Sequence, residues 1–359
     1  MSRDVSLAPR GKRQRRSPDP GIEYLPIVPP GPGEAREIVP GLLWVRVPLP
    51  MELSHINLWL LDGGTDWTLV DTGLAAAVCR EAWMSLERDV LRGRRLGRIF
   101  LTHDHPDHMG LARWLSDRHG AEVLMSVDAF RSVNAFVDAD RAEISARITG
   151  FLHAQGIDVE GLDAANLRGD HFDWYDGVPG VAAHPEDGEQ LRLGPGSWRV
   201  IATGGHCSGH LCLHEADLGV LVSGDQVLPT ISPNVSVLSS APEADPLREF
   251  FGSFDRLERC AEDVLVLPSH GRPFRGLHRR IAALRRHHLA QLEALREACL
   301  EPRTANELLP TMFGRVPRGF HRLLAIGETL AHLNFLHGER ELVREKDSAG
   351  VTRFRRAGP

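Results

Sequence analysis

The chain has 359 residues, 42% of them hydrophobic and 25% charged, a composition typical of a soluble globular protein of one or two domains. Because the formal net charge is −6, the protein as a whole is not expected to attract a polyanion. Because no run of about 18 apolar residues occurs, we expect no membrane-spanning helix.

The N-terminal segment is rich in basic residues and proline. Residues 1–20 lack the apolar stretch of a secretory signal, and a proline-rich stretch follows over residues 26–32. We predict a disordered tail over residues 1–35, with a nucleic-acid-binding arm as the less favoured alternative. The five cysteines form no C-x-x-C pair, so we expect reduced thiols and a cytoplasmic protein.

Strands and helices alternate along most of the chain. Apolar runs of strand length are predicted at 42–47, 57–61, 68–70, 98–101, 121–126, 190–193, 198–202, 211–214, 218–222 and 264–267. Helical patterns are predicted at 75–90, 111–118, 128–155, 245–260, 277–300 and 320–337. This alternation predicts an α/β layered domain.

The strand ending at Leu101 is followed by a compact cluster of histidine and aspartate: His103, Asp104, His105, Asp107 and His108. Imidazole and carboxylate together suit zinc and similar divalent metals. A loop at the end of a rigid strand can direct several side chains to one point. A compositional histidine tract is the alternative, but no further histidine flanks this cluster.

Three later segments place a metal-binding residue type just beyond an apolar strand. They contain His206, Asp225 and His270. Each signal is weak alone, but together with the first cluster they supply enough donors for two metals. His210 follows His206 by four residues, and we expect it to be structural.

The ordered set of motifs resembles the metallo-β-lactamase fold superfamily. The motifs are H-x-H-x-D-H at 103–108, G-H at 205–206, S-G-D at 223–225 and S-H-G at 269–271, preceded by D-T-G at 71–73. The resemblance covers about residues 39–274. It implies an αββα sandwich with the site at one edge between two sheets, here in a catalytic domain over residues 36–275.

The resemblance also implies roles for individual residues. The first metal would be bound by His103, His105 and His206. The second would be bound by Asp107, His108 and His270. Asp225 would bridge the two metals, Asp107 would also relay a proton, and Asp71 would support the metal loop. We expect zinc, with iron or manganese as alternatives, because the same nitrogen and oxygen ligands accept several metals.

The complete ligand set resembles the glyoxalase II-like and lactonase-like branches rather than true β-lactamases. It implies a hydrolase in which a metal-bridging hydroxide cleaves a small-molecule thioester, ester or lactone. The alternatives are a metal-dependent endoribonuclease acting on single-stranded RNA and a non-catalytic metal-binding protein.

Several residues near the motifs remain open to two interpretations. His55 and Asn57 either line the site or have an ordinary loop role, and we expect Cys207 to be a passive neighbour. Residues 127–176 are predicted to form a helical cap. Its aromatic side chains either contact substrate or pack in the core: Phe151, Phe172, Trp174 and Tyr175.

The C-terminal region, residues 276–359, is predicted to contain a long helix, a capping box from Thr304 to Glu307, an amphipathic helix that Gly338 ends, and a hairpin. This order resembles the winged-helix-like tail of lactamase-beta-like hydrolases. Acidic residues alternate with the arginines of the hairpin, which weakens a phosphate-binding surface. We therefore favour packing, homodimer formation or covering of the site over nucleic-acid binding.

Overall fold

The computed structural model describes residues 21–51, 53–158 and 173–358, and it contains two seven-stranded sheets packed face to face between helices. The αββα sandwich expected from the motifs is therefore confirmed. The basic segment at residues 1–20 and Phe172 lie outside the described residues.

The first sheet contains strands from the N-terminal half of the chain. Its spatial order is β2 (Ala35–Val39), β3 (Leu42–Pro48), β4 (His55–Asp62), β5 (Trp67–Val70), β6 (Leu96–Phe100), β7 (Glu122–Leu124) and β8 (Val181–Ala183). The pairs from β2 to β5 are antiparallel and those from β5 to β8 are parallel. Parallel neighbours need long crossovers. The helices lying between them in sequence are α1 (Ala77–Leu86) with a π-helical turn (Glu87–Leu91), α2 (Pro106–Met109), α3 (Ala112–His119), α4 (Val127–Val137) and α5 (Arg141–Ala154).

The second sheet brings strands from the C-terminal half beside the N-terminal strand. Its order is β1 (Glu23–Tyr24), β14 (Phe274–Arg275), β13 (Leu265–Pro268), β12 (Val220–Gly224), β11 (His210–Glu215), β10 (Gly196–Thr203) and β9 (Gln190–Leu193). β12 and β13 are parallel, and α6 (Pro246–Leu257) lies between them in the chain. This arrangement places the C-terminal ends of β12 and β13 side by side.

The core has three apolar clusters, one between the sheets and one under each helical layer. β4 shows how a single strand serves two of them. Leu58 and Leu60 pack under the first helical layer, whereas Trp59 and Leu61 pack between the sheets. Side chains alternate across a strand, so a strand buried on both faces is apolar throughout.

The C-terminal region contains α7 (Leu277–Ala298), α8 (Leu309–Phe313), α9 (Phe320–Gly338) and a hairpin of β15 (Leu342–Lys346) and β16 (Thr352–Arg356). Its apolar residues share one cluster with the outer face of the second sheet. Both hydrogen bonds of the predicted capping box are present: the Thr304 backbone N–H donates to Glu307 Oε2 at 2.8 Å, and the Glu307 N–H donates to Thr304 Oγ1 at 3.2 Å. They close a turn at residues 305–308 rather than begin a helix, because α8 starts at Leu309 with Leu308 as its N-cap. The likeness to a winged helix remains a prediction.

Some local expectations differ from the structure. Residues 21–35, which we placed in the disordered tail, include β1, and β1 forms by pairing with the distant β14. β2 and β8 were also missed, because short strands carry little periodic signal. α9 ends at Gly338, as expected, but Gly338 keeps a helical conformation, and the left-handed residue beyond the helix is Arg340, with φ of 63°. Among the described helices, none has both the length and the apolar character needed to cross a membrane.

Candidate metal centre

The structure brings the seven expected ligand residues together at one edge of the sandwich. Their ligand atoms fall into three overlapping groups, and within each group these atoms lie within 4.8 Å of one another. The groups are His103, His105 and His206; His103, His108 and Asp225; and Asp107, His108 and His270. Shared members make the three groups one continuous cluster.

Each part of this cluster follows the C-terminal end of a strand. The first motif comes after β6 of the first sheet, and α2 begins inside it at Pro106. His206 follows β10, Asp225 follows β12 and His270 follows β13, all in the second sheet. Strands buried in the core therefore fix the backbone positions from which these side chains project.

Two glycines allow the tight turns that aim these residues. Gly224 has φ of +53°, and a Cβ there would lie 2.4 Å from His210 Nε2. Gly205 has φ of +94°, and a Cβ would lie 2.5 Å from both Phe250 Cβ and Pro246 O. Only glycine combines this backbone conformation with so close an approach.

Hydrogen bonds on Nδ1 orient the histidine rings. His108 Nδ1 donates to Asp71 Oδ2 at 2.8 Å, and His270 Nδ1 donates to the backbone carbonyl of His55 at 2.9 Å. His206 Nδ1 donates to the carbonyl of Asn234 at 2.8 Å. Such bonds fix the tautomer and leave Nε2 as the free acceptor, which is the arrangement usual for metal-binding histidines.

The Nε2 atoms of these histidines are buried and accept no hydrogen bond from the described part of the protein. Within the described residues, no hydrogen bond reaches Nε2 of four histidines: His103, His108, His206 and His270. A buried polar atom left unpaired costs roughly 1–3 kcal/mol. Four such atoms converging on one point fit a bound cation better than an apolar cavity. The donor set, imidazole with carboxylate, suits zinc and is also compatible with iron or manganese.

The carboxylates lie among these nitrogens. Asp225 Oδ2 is 3.5 Å from Nε2 of both His108 and His206, and Asp225 Oδ1 is 3.6 Å from Nε2 of His270. Asp107 Oδ2 is 3.3 Å from His270 Nε2 and 3.7 Å from His108 Nε2. Asp225 is therefore placed between the two histidine groups, where a bridging ligand would stand.

The pKa values of the buried histidines shift in opposite directions. Burial lowers the pKa of His206 to about 4 and holds the pKa of His103 well below its usual range. Burial also acts on His108 and His270, but the nearby carboxylates of Asp107 and Asp225 outweigh it and raise the pKa of both imidazoles. Protons therefore compete with a metal mainly at His108 and His270.

Asp71 supports the metal loop, as the resemblance implied. Its Oδ1 accepts the Thr102 backbone N–H at 2.8 Å while its Oδ2 accepts His108 Nδ1. Asp71 has φ of 60°, a conformation that aspartate adopts more readily than most residues. The buried carboxylate thus connects the end of β5 to both ends of the first motif.

The remaining candidates have structural contacts. Both ring nitrogens of His210 are engaged: Nδ1 lies 2.8 Å from Thr203 Oγ1, and Nε2 accepts the Asp225 backbone N–H at 3.2 Å. Burial raises the pKa of the Cys207 thiol well above its usual range, which keeps it unreactive. Asn57 is fully buried and donates to the carbonyls of Pro268 and Gly271 at the β13 end.

The aromatic residues of the expected cap divide between two environments. Phe151 is buried in the apolar cluster of the second helical layer, so it is a core residue. Trp174 and Tyr175 are half-buried against the first helical layer. The Tyr175 hydroxyl donates to the backbone carbonyl of Asp104 at 2.8 Å, which ties this segment to the metal loop.

Sequence reasoning missed the carbonyl groups of His55 and Asn234 as orienting partners. Every residue carries a backbone carbonyl, so no residue type reveals which of them faces a histidine. The signal was available only for side-chain partners such as Asp71.

Comparison with known proteins assigns the chain to a family. Residues 52–297 match the model of the metallo-beta-lactamase superfamily, and residues 292–357 match that of the metallo-beta-lactamase-like C-terminal domain. The chain therefore belongs to the metallo-beta-lactamase superfamily. The crystal structure of a beta-lactamase domain protein from Burkholderia ambifaria is 38% identical, with a TM-score of 0.84, covering 94% of this chain and 97% of that one.

Two curated relatives carry names that describe an activity. The acyl-coenzyme A thioesterase MBLAC2 of Bos taurus is 26% identical over 65% of this chain and 79% of its own length. The hydroxyacylglutathione hydrolase of Methylococcus capsulatus is 25% identical over 64% of each chain. Homologues of this kind and the family itself support a metallohydrolase.

Proposed function

We propose that this member of the metallo-beta-lactamase superfamily is a hydrolase that uses two divalent metal ions to cleave a small-molecule thioester, with esters and lactones as related substrates. The observation that carries the proposal is the convergence of five histidines and two aspartates, four of whose ring nitrogens are buried without partners. We propose zinc as the metal, with iron or manganese as alternatives.

The three groups of ligand atoms support the division of roles that the motifs implied. His103, His105 and His206 would hold one ion. Asp107, His108 and His270 would hold the other, with Asp225 between the two. Two metals at such a site supply an activated water nucleophile and polarise the carbonyl under attack.

Asp107 is suited to move the proton. Its Oδ2 lies 3.3 Å from His270 Nε2 and 3.7 Å from His108 Nε2, so the carboxylate stands among the candidate ligand atoms. The side chain is 16% exposed, so solvent can reach this carboxylate. We propose that it accepts a proton from the attacking water and passes it to the leaving group.

The choice of a thioester rests on the relatives. One acts on acyl-coenzyme A and the other on hydroxyacylglutathione, according to their names. Both names describe removal of an acyl group from a thiol-bearing carrier.

The experiment is a substrate panel for metal-loaded protein: acyl-coenzyme A, acylglutathione, a lactone, a phosphodiester and single-stranded RNA. We expect thioester hydrolysis that is abolished in His108→Ala. The matched control is His321→Ala, because His321 is an exposed histidine of α9 and should leave turnover unchanged. RNA cleavage without thioester turnover would refute the proposal and favour the endoribonuclease.

The surface of the C-terminal hairpin supports a role other than RNA binding. Arg344 pairs with Glu243, Arg353 lies 3.3 Å from Asp347 Oδ2, and Arg355 lies 2.8 Å from Glu345 Oε1. Arginines already engaged with carboxylates offer less charge to a phosphate backbone. The packing of this region on the second sheet, reported above, is the role that these pairings favour.

A further inference from the structure

The segment that follows Asp225 is held by the C-terminal helices. Arg280 of α7 donates from Nε to the Leu228 carbonyl at 2.6 Å and from Nη2 to the Ile231 carbonyl at 2.8 Å. The Val237 backbone N–H donates to the Gly327 carbonyl of α9 at 3.1 Å. We call residues 226–237 the docking loop. Contacts at its start, middle and end leave it little freedom apart from these two helices.

Within the docking loop, Asn234 faces the metal centre with its backbone and α9 with its side chain. Its carbonyl accepts His206 Nδ1 at 2.8 Å. Its side-chain Nδ2 donates to Glu328 Oε2 at 3.4 Å, and its Oδ1 accepts the Ser236 hydroxyl at 2.5 Å. One residue thus connects a ligand histidine to a carboxylate of the C-terminal region.

Glu328 is itself fixed at its backbone. Its carbonyl accepts His332 Nδ1 at 2.8 Å, and His332 Nε2 lies 3.0 Å from His288 Nδ1. His288 Nε2 in turn lies 3.1 Å from Ser232 Oγ, which returns the chain of contacts to the docking loop. His288 and His332 are fully buried, so solvent cannot replace these partners.

The close approach of α9 to the docking loop depends on a glycine. A Cβ at Gly327 would lie 2.9 Å from both the Ser236 Cβ and the Val237 carbonyl oxygen. The absence of a side chain at this position brings the next residue, Glu328, within reach of Asn234. α9 and the docking loop therefore meet next to Asn234, the residue whose carbonyl contacts His206.

We propose that Glu328, acting through Asn234, is a positioning residue for His206, so that the C-terminal helices form part of the metal centre. The inference rests on the proposed metal site. The carbonyl of Asn234 selects the tautomer and ring angle of His206, and Glu328 holds that carbonyl by anchoring the Asn234 side chain. Partners beyond the direct ligands commonly change metal affinity about 10–100-fold when removed.

The test measures metal affinity in Glu328→Ala, Glu328→Gln and the control Glu339→Ala. Glu339 follows the end of the same helix and pairs with Arg248, remote in sequence from the docking loop. Zinc affinity is measured by stepwise titration, and cobalt absorption spectra are recorded in a separate experiment. We expect Glu328→Ala to lower the metal affinity of the group containing His206 by about 10-fold. The Asp107–His108–His270 group should keep its affinity. Glu328→Gln can still accept from Asn234 and should stay close to wild type.

A second variant covers the case in which Glu328→Ala fails to fold. Asn234→Ala keeps the backbone carbonyl but loses the side-chain contact, so it should reproduce the same loss of affinity. Because the two residues act in series, the double variant should be no worse than either single variant. Unchanged zinc affinity in folded variants, or losses that add, would overturn the proposal. Since these readouts are binding constants and spectra, a failure of the thioesterase proposal would leave them interpretable.

Discussion

Asp71→Asn tests how the metal loop prepares its ligands. Asp71 accepts two buried N–H groups, from the Thr102 backbone and from His108 Nδ1, each at 2.8 Å. Asparagine has the same size and tolerates φ near 60° comparably. It offers one oxygen and one amide nitrogen where aspartate offers two oxygens. The substitution therefore changes hydrogen-bond chemistry while leaving shape and backbone conformation unchanged.

The magnitude follows from the two possible amide orientations. If the oxygen stays on Thr102, the amide NH₂ faces His108 Nδ1, and the imidazole moves its proton to Nε2, the nitrogen that points into the site. If the amide rotates, the Thr102 N–H is left without an acceptor. A buried donor left unpaired costs roughly 1–3 kcal/mol, and about 1.4 kcal/mol corresponds to tenfold in affinity. We expect about 10- to 100-fold weaker metal binding at the Asp107–His108–His270 group.

The assay is a stepwise zinc titration of metal-free protein against a competing chelator, with circular dichroism to verify folding. The His103–His105–His206 group should lose less affinity, because none of its rings contacts Asp71 directly and only His103 is linked to it, through the Thr102 hydroxyl. Asp62→Asn is the matched control, since Asp62 lies at the end of β4 and pairs with Arg94 at the surface. Equal loss at both groups, or no loss in a folded Asp71→Asn protein, would refute the reasoning.

Three further predictions concern pH, backbone conformation and the turn before α8. Acidification from pH 7 to about 5.5 should release metal first from the group containing His108 and His270. The nearby carboxylates raise the pKa of these two imidazoles, and a protonated imidazole cannot bind a metal. Simultaneous release from both groups, measured by metal analysis along a pH series, would contradict this prediction. Gly205→Ala forces a Cβ against α6. It should lower the free energy of unfolding in denaturant by roughly 1–3 kcal/mol and weaken metal binding. An unchanged unfolding midpoint would be inconsistent with the clash. Thr304→Ala removes the hydroxyl that accepts the Glu307 N–H in the turn before α8. It should cost about 1 kcal/mol in the same unfolding assay, whereas wild-type stability would show that this hydrogen bond contributes nothing.

The candidate ligand residues could be selected from the sequence because each is a side chain of distinctive chemistry at a strand end. His206, Asp225 and His270 are far apart in sequence, yet each follows an apolar strand, and the two central strands of the second sheet bring the last two together. The αββα sandwich was predictable from the same ordered motifs.

The features that the sequence did not predict depend on contacts that cannot be inferred from residue type. The orienting carbonyls of His55 and Asn234 are backbone groups, and β1 exists only because the distant β14 pairs with it. The connection from Glu328 to His206 requires knowing that α9 packs on the docking loop. Amphipathic periodicity predicts that α9 is a helix but not what lies against it.

The central claim is that two metals, held by residues of both sheets, are needed to hydrolyse a thioester. The most direct measurement is acyl-coenzyme A hydrolysis by metal-free protein during addition of zinc, with Asp225→Asn titrated in parallel. Full activity should appear at about two equivalents of metal, and the variant should stay inactive. Full activity at one equivalent, or turnover that persists after metal removal, would contradict it.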